Sequence, residues 1–519
     1  MNEDTFEVPT LHATVLRHAR NRPKASAVRC EDRVITYADL DARTRKIATQ
    51  LLRFGLVAGD RVVFIGRNSD AIPLLSVAAN RIGVVPVPLN WRLAPAEMVA
   101  LVRDAEARLV FVDKEFASIA DRIQSLQSSP VHVMAAAALR DGSSWPESVA
   151  SGTQLFRDLA VADAIALQVY TSGTTGQPKG VMLSHRSLNG INTLRHLVEW
   201  DSWSETDVTL VSAPLGHIGA YGMMARTFFF GGEVVIQPAF DAGETLAAIE
   251  RFGVSKIALV PTAIKIILEH PRARDTDYSR IDTIIYGASP IAPTLLRDAM
   301  AVFGCNFAQS YGMSETSGPV VALAPCDHDV NGAPWMAAAG QPLPGTEVRI
   351  VDPTGTPLAP WQDGEISIRS IANMVGYWNR PEESARTLSR DNWLLTGDAG
   401  CIDENGYVYV RSRVKEMIIS GAENIYPAEV ENAIASHPDV GEVAVIGVPD
   451  KHWGEAVRAI VAARPGRQID PVAIQDWARA RIAGYKVPKS VGIVTELPLN
   501  ATGKVDKLAL RALYSTATG

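Results

Sequence analysis

The sequence predicts an α/β fold: a large N-terminal domain of layered α/β subdomains with a small β-rich unit, then a smaller C-terminal α+β domain. Three observations predict it. The chain has 519 residues, too many for one ordinary core, and its 47% hydrophobic and 21% charged residues are a globular balance. Strand-like apolar runs alternate with helix-period stretches through the first half and again over 206–300, the rhythm of a largely parallel sheet. From residue 340 onward, short strands separated by Gly-, Pro- and Asp-rich turns replace that rhythm.

Taken in order, Thr36 opens a helix with Asp39 three residues on, close to a capping box. Leu40, Ile47, Leu51 and Phe54 fall near one face, and Gly55 stands just past the helix end. A buried strand is predicted over 62–65, a helix over 72–82 and extended chain from 84 to 87. Residues 209–213 and 234–237 read as strands; 257–260 runs into Pro261 and 284–286 into Gly287. Ligands of open α/β sheets lie beyond the carboxyl ends of strands, so Pro261-Thr262 and Gly287-Ala288-Ser289 are predicted pocket edges. The apolar stretch 226–235 reads as a buried helix end and strand rather than a membrane-touching patch. Short strands follow at 345–352, 364–369 and 406–410. After Arg413 a compact module begins, with strands over 443–448 and 457–462 and a helix capped by Asp470-Pro471 running to residue 482 or so. The domains are therefore placed at 1–414 and 415–519.

The net charge is −7 and the pI about 5.9, a sign that repels phosphate backbones, so no nucleic-acid partner is expected. Cys30, Cys305, Cys326 and Cys401 are scattered without metal-ligand spacing and read as thiols of a reducing compartment. The acidic N-terminus has no secretory pattern, and Asn80 and Arg81 interrupt the longest apolar run, so no transmembrane segment is expected. The C-terminal Thr-Ala-Thr-Gly is no peroxisomal address, and the expected location is cytoplasmic.

The run Tyr170-Thr-Ser-Gly-Thr-Thr-Gly-Gln-Pro-Lys-Gly180 carries the most chemistry. Its glycines allow close backbone approach to an anion, its hydroxyls add donors and Lys179 adds a point charge, a set suited to polyphosphate. The Gly-Lys-Ser/Thr spacing of a Walker A loop is missing. A flexible linker would not pass at once into the strand-like 181–183 and a helix opening at Ser184.

Four further motifs follow in order: Tyr311-Gly-Met-Ser-Glu315-Thr; Gly376-Tyr-Trp with Trp393-Leu-Leu-Thr-Gly397-Asp398; Arg413-Val-Lys-Glu-Met-Ile-Ile-Ser-Gly421-Ala-Glu-Asn-Ile-Tyr-Pro-Ala-Glu-Val-Glu; and Asn500-Ala-Thr-Gly-Lys504. Together the five resemble the signatures of the adenylate-forming (AMP-binding) superfamily, in its acyl-CoA synthetase and fatty-acid–CoA ligase branch. Ser314 stands where threonine is commoner in that family.

The resemblance implies ATP-dependent ligation of a fatty, alicyclic or aryl acid to coenzyme A through an acyl-adenylate. ATP, Mg²⁺ and coenzyme A are the implied cofactors and co-substrates. Thr171, Ser172, Gly173, Thr174, Thr175, Gly176 and Lys179 would cradle the leaving phosphates, Glu315 would bind Mg²⁺ and Ser314 would donate to the α-phosphate. Gly287, Ala288 and Ser289 would form one adenine wall, with Ser310 and Tyr311 opposite. Asp398 would accept the ribose hydroxyls and Arg413 would reach the nucleotide. Lys504 would insert between α-phosphate and carboxylate during adenylation. Lys415 falls at the hinge of a mobile C-terminal domain, and Gly421, Ala422 and Glu423 would flank the pantetheine arm, Ala422 replacing a common glycine. For the acid, His217 is a gate or a structural histidine, and Gly219, Met223, Thr262, Gly312, Met313 and Gly318 would line a mostly apolar, roomy slot. Histidine at 217, where amino-acid-activating relatives place aspartate, argues against α-amino acids. The alternatives are an adenylase loading a carrier-protein thiol and a non-catalytic nucleotide-binding homologue. The expected partners are the small-molecule carboxylic acid and coenzyme A, with a homodimer as an allowed assembly.

Overall fold

The computed structural model describes residues 8–125, 131–141, 145, 161–171, 178–289, 291–329, 333–420, 423–499 and 505–514. Two compact units divide the chain: Met1–Val348, Ile368–Leu394 and Gly406–Val408 form one, and Arg349–Ser367, Leu395–Asn405 and Tyr409–Gly519 the other.

The first unit is built on a nine-stranded sheet in the order Gln341–Pro342, Gly318–Leu323, Asn306–Met313, Thr283–Gly287, Lys256–Leu259, Val208–Val211, Glu233–Ile236, Ser26–Cys30 and Arg33–Thr36. From Asn306–Met313 to Ser26–Cys30 neighbours are parallel, and antiparallel partners close both edges. The central strands are apolar runs because helices cover both faces of a parallel sheet. Residues 226–235 divide as expected between the buried helix Ile218–Phe230 and the strand Glu233–Ile236. A second, all-parallel sheet runs Val85–Pro88, Arg61–Ile65, Leu109–Val112, His132–Ala135.

Helix Ala71–Arg81 is buried at every residue, yet it contains Asn80 and Arg81. Asn80 donates to the Ala166 carbonyl at 2.9 Å, and Arg81 pairs with Asp41 and donates to Thr44 Oγ1 at 3.2 Å. Thr36 and Asp39 form the capping box of helix Tyr37–Arg53, and Gly55 follows its end with φ of 89°.

A three-stranded antiparallel sheet joins Ile165–Thr171, Lys179–Ser184 and Gly376–Tyr377. This pairing draws residues 368–394 into the first unit, so the β-rich stretch is shared between the units. Four strands, Thr346–Val351, Gly364–Ser370, Trp393–Ile402 and Val408–Arg413, form a sheet in that order, most of it in the second unit. The second unit continues with the antiparallel pair Val440–Asp450 and Gly454–Ala463, flanked by Ile418–Ser420 and by the parallel strand Ser490–Val494. Helices Pro427–Ala435 and Pro471–Arg479 supply buried residues to the core there. Asp470 caps the latter by accepting from Val472 N–H, and the helix stops at Arg479, short of residue 482. Among the described residues no helix is long and apolar enough to cross a membrane.

Candidate active site

In the first unit, Thr171 and Lys179 face each other across the antiparallel pair Ile165–Thr171 and Lys179–Ser184. The ends of the glycine-rich loop are thus held by a hairpin, while Ser172, Gly173, Thr174, Thr175 and Gly176 lie outside the described residues. Tyr170 anchors the hairpin base by donating to Asp104 Oδ2 at 2.8 Å, and Arg380 pairs with the same carboxylate at 2.8 Å. Burial and the Asp104 charge raise the Tyr170 phenol well above its usual range, so it remains a donor.

Lys179 pairs with Glu383 and lies 5.0 Å from the Tyr377 ring centroid. Its hydrogen bond holds the Glu383 carboxyl below the ordinary range. Tyr377 in turn donates to Glu315 Oε1 at 2.9 Å. Burial, then the Glu315 charge, raises the Tyr377 phenol far above its ordinary value. A single tyrosine therefore touches both the carboxylate expected to bind a cation and the lysine expected to bind phosphate.

Glu315 is 6% exposed and sits in the 3₁₀ turn Ser314–Thr316, with Ser314 half-buried before it. The turn is fixed locally: Thr316 Oγ1 accepts from Met313 N–H at 3.0 Å and donates to the Gly318 carbonyl at 2.8 Å. Across the hairpin, Gly312 opposes Pro319 and Met313 opposes Gly318. A side chain at 312 would meet the Gly318 carbonyl oxygen at 2.1 Å, so only glycine permits this register. Met374 N–H donates to the Glu315 carbonyl at 2.8 Å, tying the turn to the segment that carries Tyr377.

Gly287 ends strand Thr283–Gly287 and pairs with Ser310, half-buried in Asn306–Met313. A Cβ at 287 would lie 2.2 Å from the Ser310 carbonyl oxygen. Ala288 follows with φ of 65°, a left-handed conformation unusual for alanine, and both Ala288 and Ser289 are exposed at the strand end. Ser310 Oγ donates to the Tyr286 carbonyl at 3.2 Å. Tyr311 continues the strand, half-buried.

His217 precedes helix Ile218–Phe230, and Asn90 Nδ2 donates to its Nε2 at 3.1 Å. Asn68 braces the preceding loop, donating to the Ala213 carbonyl at 2.8 Å and accepting from Leu215 N–H at 2.8 Å. Thr262 is exposed in the first turn of helix Pro261–Glu269. A cavity of about 90 Å³ has Gly219, Gly222, Met223 and Ser310 in its wall. His217, Thr262, Gly312, Met313 and Gly318 lie outside that lining.

In the second unit, Asp398 is 6% exposed and pairs with Arg413 Nε at 3.1 Å. Arg413 also donates to the Thr396 carbonyl at 3.2 Å, and Thr396 Oγ1 accepts from Asp398 N–H at 3.1 Å. Gly397 N–H donates to Glu365 at 2.9 Å; burial, reinforced by Asp398, raises that carboxyl. Lys415 lies in the 3₁₀ turn Val414–Glu416, whose Lys415 and Glu416 carbonyls each accept from Arg511 at 3.4 Å. Glu423 begins the strand Glu423–Ile425, and Gly421, Ala422 and Lys504 lie outside the described residues.

Sequence reading passed over Asn68, Asn90, Asp104 and Glu383, which carry no local signal. Tyr377 stood inside a quoted motif, but its contact with Glu315 spans 62 residues.

Among the described residues no group of three or more His, Cys, Asp or Glu side chains could hold a metal ion by itself. Glu315 nonetheless suits Mg²⁺, which takes one or two carboxylates and completes its shell with nucleotide phosphates and water. Tyr377 donates to its Oε1.

The AMP-binding enzyme family model matches residues 15–378, and that of the AMP-binding enzyme C-terminal domain matches 429–504. A feruloyl-CoA synthase of Amycolatopsis sp is 39% identical over 96% of this chain and 98% of its own. The fatty acid–[acyl-carrier-protein] ligase ScoC of Streptomyces coeruleorubidus is 36% identical over 97% of this chain and 96% of its own. The ATP-bound structure of MatB from Rhodopseudomonas palustris superposes with a TM-score of 0.88 at 31% identity, covering 98% of this chain and 99% of that one.

Proposed function

The chain belongs to the AMP-binding enzyme family, and from that membership we propose that it joins a carboxylic acid to coenzyme A through an acyl-adenylate, releasing AMP and pyrophosphate. A thiolate does not displace oxide from a carboxylate. Attack of the carboxylate on the α-phosphorus of ATP expels pyrophosphate and leaves AMP as the group the thiol can displace. The transition state spreads charge over phosphoryl oxygens, so fixed cations and donors lower the barrier.

The observation that carries the proposal is Tyr377 standing between Glu315 and Lys179. Lys179 rests on Glu383 and would transfer its charge to the more highly charged polyphosphate. Thr171, Ser172, Gly173, Thr174, Thr175 and Gly176 are assigned to the same phosphates, and Ser314 to the α-phosphate. Mg²⁺, held by Glu315, would neutralise phosphate charge. Gly287, Ala288, Ser289, Ser310 and Tyr311 are assigned to adenine, and Asp398 and Arg413 to the ribose end of the nucleotide. Lys504 is assigned to adenylation, Lys415 to a hinge at the 1–414/415–519 boundary, and Gly421, Ala422 and Glu423 to the pantetheine arm. His217, Gly219, Met223, Thr262, Gly312, Met313 and Gly318 are assigned to the acid, a fatty, alicyclic or aryl one.

A panel of such acids with ATP, Mg²⁺ and coenzyme A, read by mass spectrometry, is expected to yield an acyl thioester and AMP. Lys504→Ala is expected to abolish acid-dependent ATP–pyrophosphate exchange while sparing thioester formation from supplied acyl-AMP. Equal loss of both half-reactions would contradict the role given to Lys504; no exchange with any acid would favour a nucleotide-binding protein without catalysis. Similarity to an acyl-carrier-protein ligase supports a second reading, in which the thiol belongs to a carrier protein. AMP release that depends on added coenzyme A decides between them.

A further inference from the structure

The cavity described above is apolar along its walls and cationic at one end. Leu188, Ile191, Met223, Ala258 and Ile285 line the walls, while Arg195, Asp201 and Arg226 line it together at one place. The topology fixes which end that is. Helix Ile218–Phe230 connects two adjacent parallel strands, Val208–Val211 and Glu233–Ile236, so it runs back against them. Its first turn, with Gly219, lies at the strands' carboxyl ends, where Gly287 and Ser310 also stand. Arg226, seven residues further on, lies roughly 10 Å down the helix at the 1.5 Å rise per residue. The charged cluster is the inner end.

Among the described residues the charges there do not cancel. Asp201 accepts from Trp203 Nε1 at 2.7 Å through one carboxylate oxygen and pairs with Arg195 through the other. Arg226 is left 4.0 Å from that second oxygen, with its Nε on Asn192 Oδ1 at 3.2 Å and its guanidinium 5.3 Å from the Trp203 ring centroid. Arg195 Nε is buried and has no hydrogen-bond partner among the described residues. Lys256, on the same indole, is a further cation and already pairs with Asp282. Among the described residues two arginines thus face one aspartate, a net charge of +1 in a wall where Arg195 is 5% and Arg226 8% exposed. Burial lowers both guanidinium groups, Arg226 to about 10, which leaves it protonated at neutral pH. An uncompensated buried cation is costly, and an anion arriving from the cavity would offset that cost.

We propose that the inner end of this cavity binds a second carboxylate of the substrate, so that the acid activated is dicarboxylic, with an apolar middle between its two ends. The inference rests on the ligase reading above and narrows the fatty, alicyclic or aryl acid to one with a distal anionic group. Arg226 receives that carboxylate, and the free Nε–H of Arg195 donates to it. Asp201, which accepts from Trp203 and pairs with Arg195, orients the arginines.

The test compares matched acids, adipic against hexanoic and terephthalic against 4-methylbenzoic, on the full chain and on Arg226→Met. Two readings are taken: kcat/KM for AMP release with coenzyme A, and the shift in Tm that each acid causes. In the wild type the diacids are expected to exceed their monoacid partners by on the order of a hundredfold in kcat/KM, since a site with buried polar groups rejects an analogue that leaves them unpaired. They should also give the larger Tm shift. Arg226→Met is expected to reverse both orders. Monoacids equal to or better than diacids in the wild type would overturn the proposal, whether or not the variant folds. Equal loss with both acids in Arg226→Met would also overturn it, leaving the cluster a structural ion pair. A diacid-specific Tm shift without turnover of any acid would uphold the anion-binding end of the cavity and sink the ligase reading that makes its ligand a substrate.

Discussion

Tyr377 joins two of the first unit's charged groups, Glu315 and Lys179. Its phenol gives a charged acceptor, the Glu315 carboxylate, a hydrogen bond at 2.9 Å in a buried place. A bond of that kind is worth about 1.5–3 kcal/mol. Partners of a metal ligand typically cost tenfold to a hundredfold in metal affinity when removed. Tyr377→Phe keeps the ring against Lys179 and removes only the donor. It is expected to raise the Mg²⁺ concentration for half-maximal ATP–pyrophosphate exchange by about tenfold. An unchanged Mg²⁺ dependence in a folded variant would refute the link from Tyr377 to the cation. Glu315 itself was legible in the sequence, because Tyr311-Gly-Met-Ser-Glu is a local pattern. Its partner was not, because nothing within a few residues of 315 records a contact with 377.

At the scale of elements, the helix His185–Leu194 shows how a short polar signal supports a buried structure. Ser184 caps it by accepting from Ser187 N–H at 3.0 Å, as the sequence reading of a helix opening there requires. The next residue, His185, is 0% exposed and accepts from Leu11 N–H through Nδ1 at 3.2 Å. Burial, helped by neighbouring His12, lowers the imidazole from 6.5 to about 3. Below pH 6.5 the unfolded chain takes up a proton at this residue, and the folded chain does not until pH about 3. The stability it contributes is therefore complete above 6.5 and lost as the pH falls toward 3, at up to about 1.4 kcal/mol per pH unit. Chemical denaturation midpoints at pH 7 and pH 5 are expected to fall further in the wild type than in His185→Gln. Equal falls would remove His185 as a source of acid sensitivity. The helix opening at Ser184 was legible, as was the near capping box at Thr36; the contact across 174 residues to Leu11 was not.

At the scale of the molecule, among the described residues the hydrophobic clusters of 418–514 draw on that span alone, with Ile418, Ile425, Val445, Ile460 and Leu510 among their members. A segment with its own core can fold independently. Residues 415–519 expressed alone are expected to unfold in one cooperative thermal transition by circular dichroism. A featureless melt would mean that strands from 349–367 and 395–405, which share its compact unit, are needed, and the proposed boundary at 415 would move. The sequence by itself determined the α/β alternation, the helix caps and the glycine-rich 170–180 and Tyr311–Glu315 motifs, since each arises from interactions within a few residues or from one periodicity. Only the tertiary structure decided that strand Ser26–Cys30 pairs with Glu233–Ile236, that Tyr377 bridges Glu315 and Lys179, and that Arg195, Asp201 and Arg226 meet at one end of a cavity. Those pairings follow from burying many apolar faces at once, a sum over the whole core that no short stretch of chain contains.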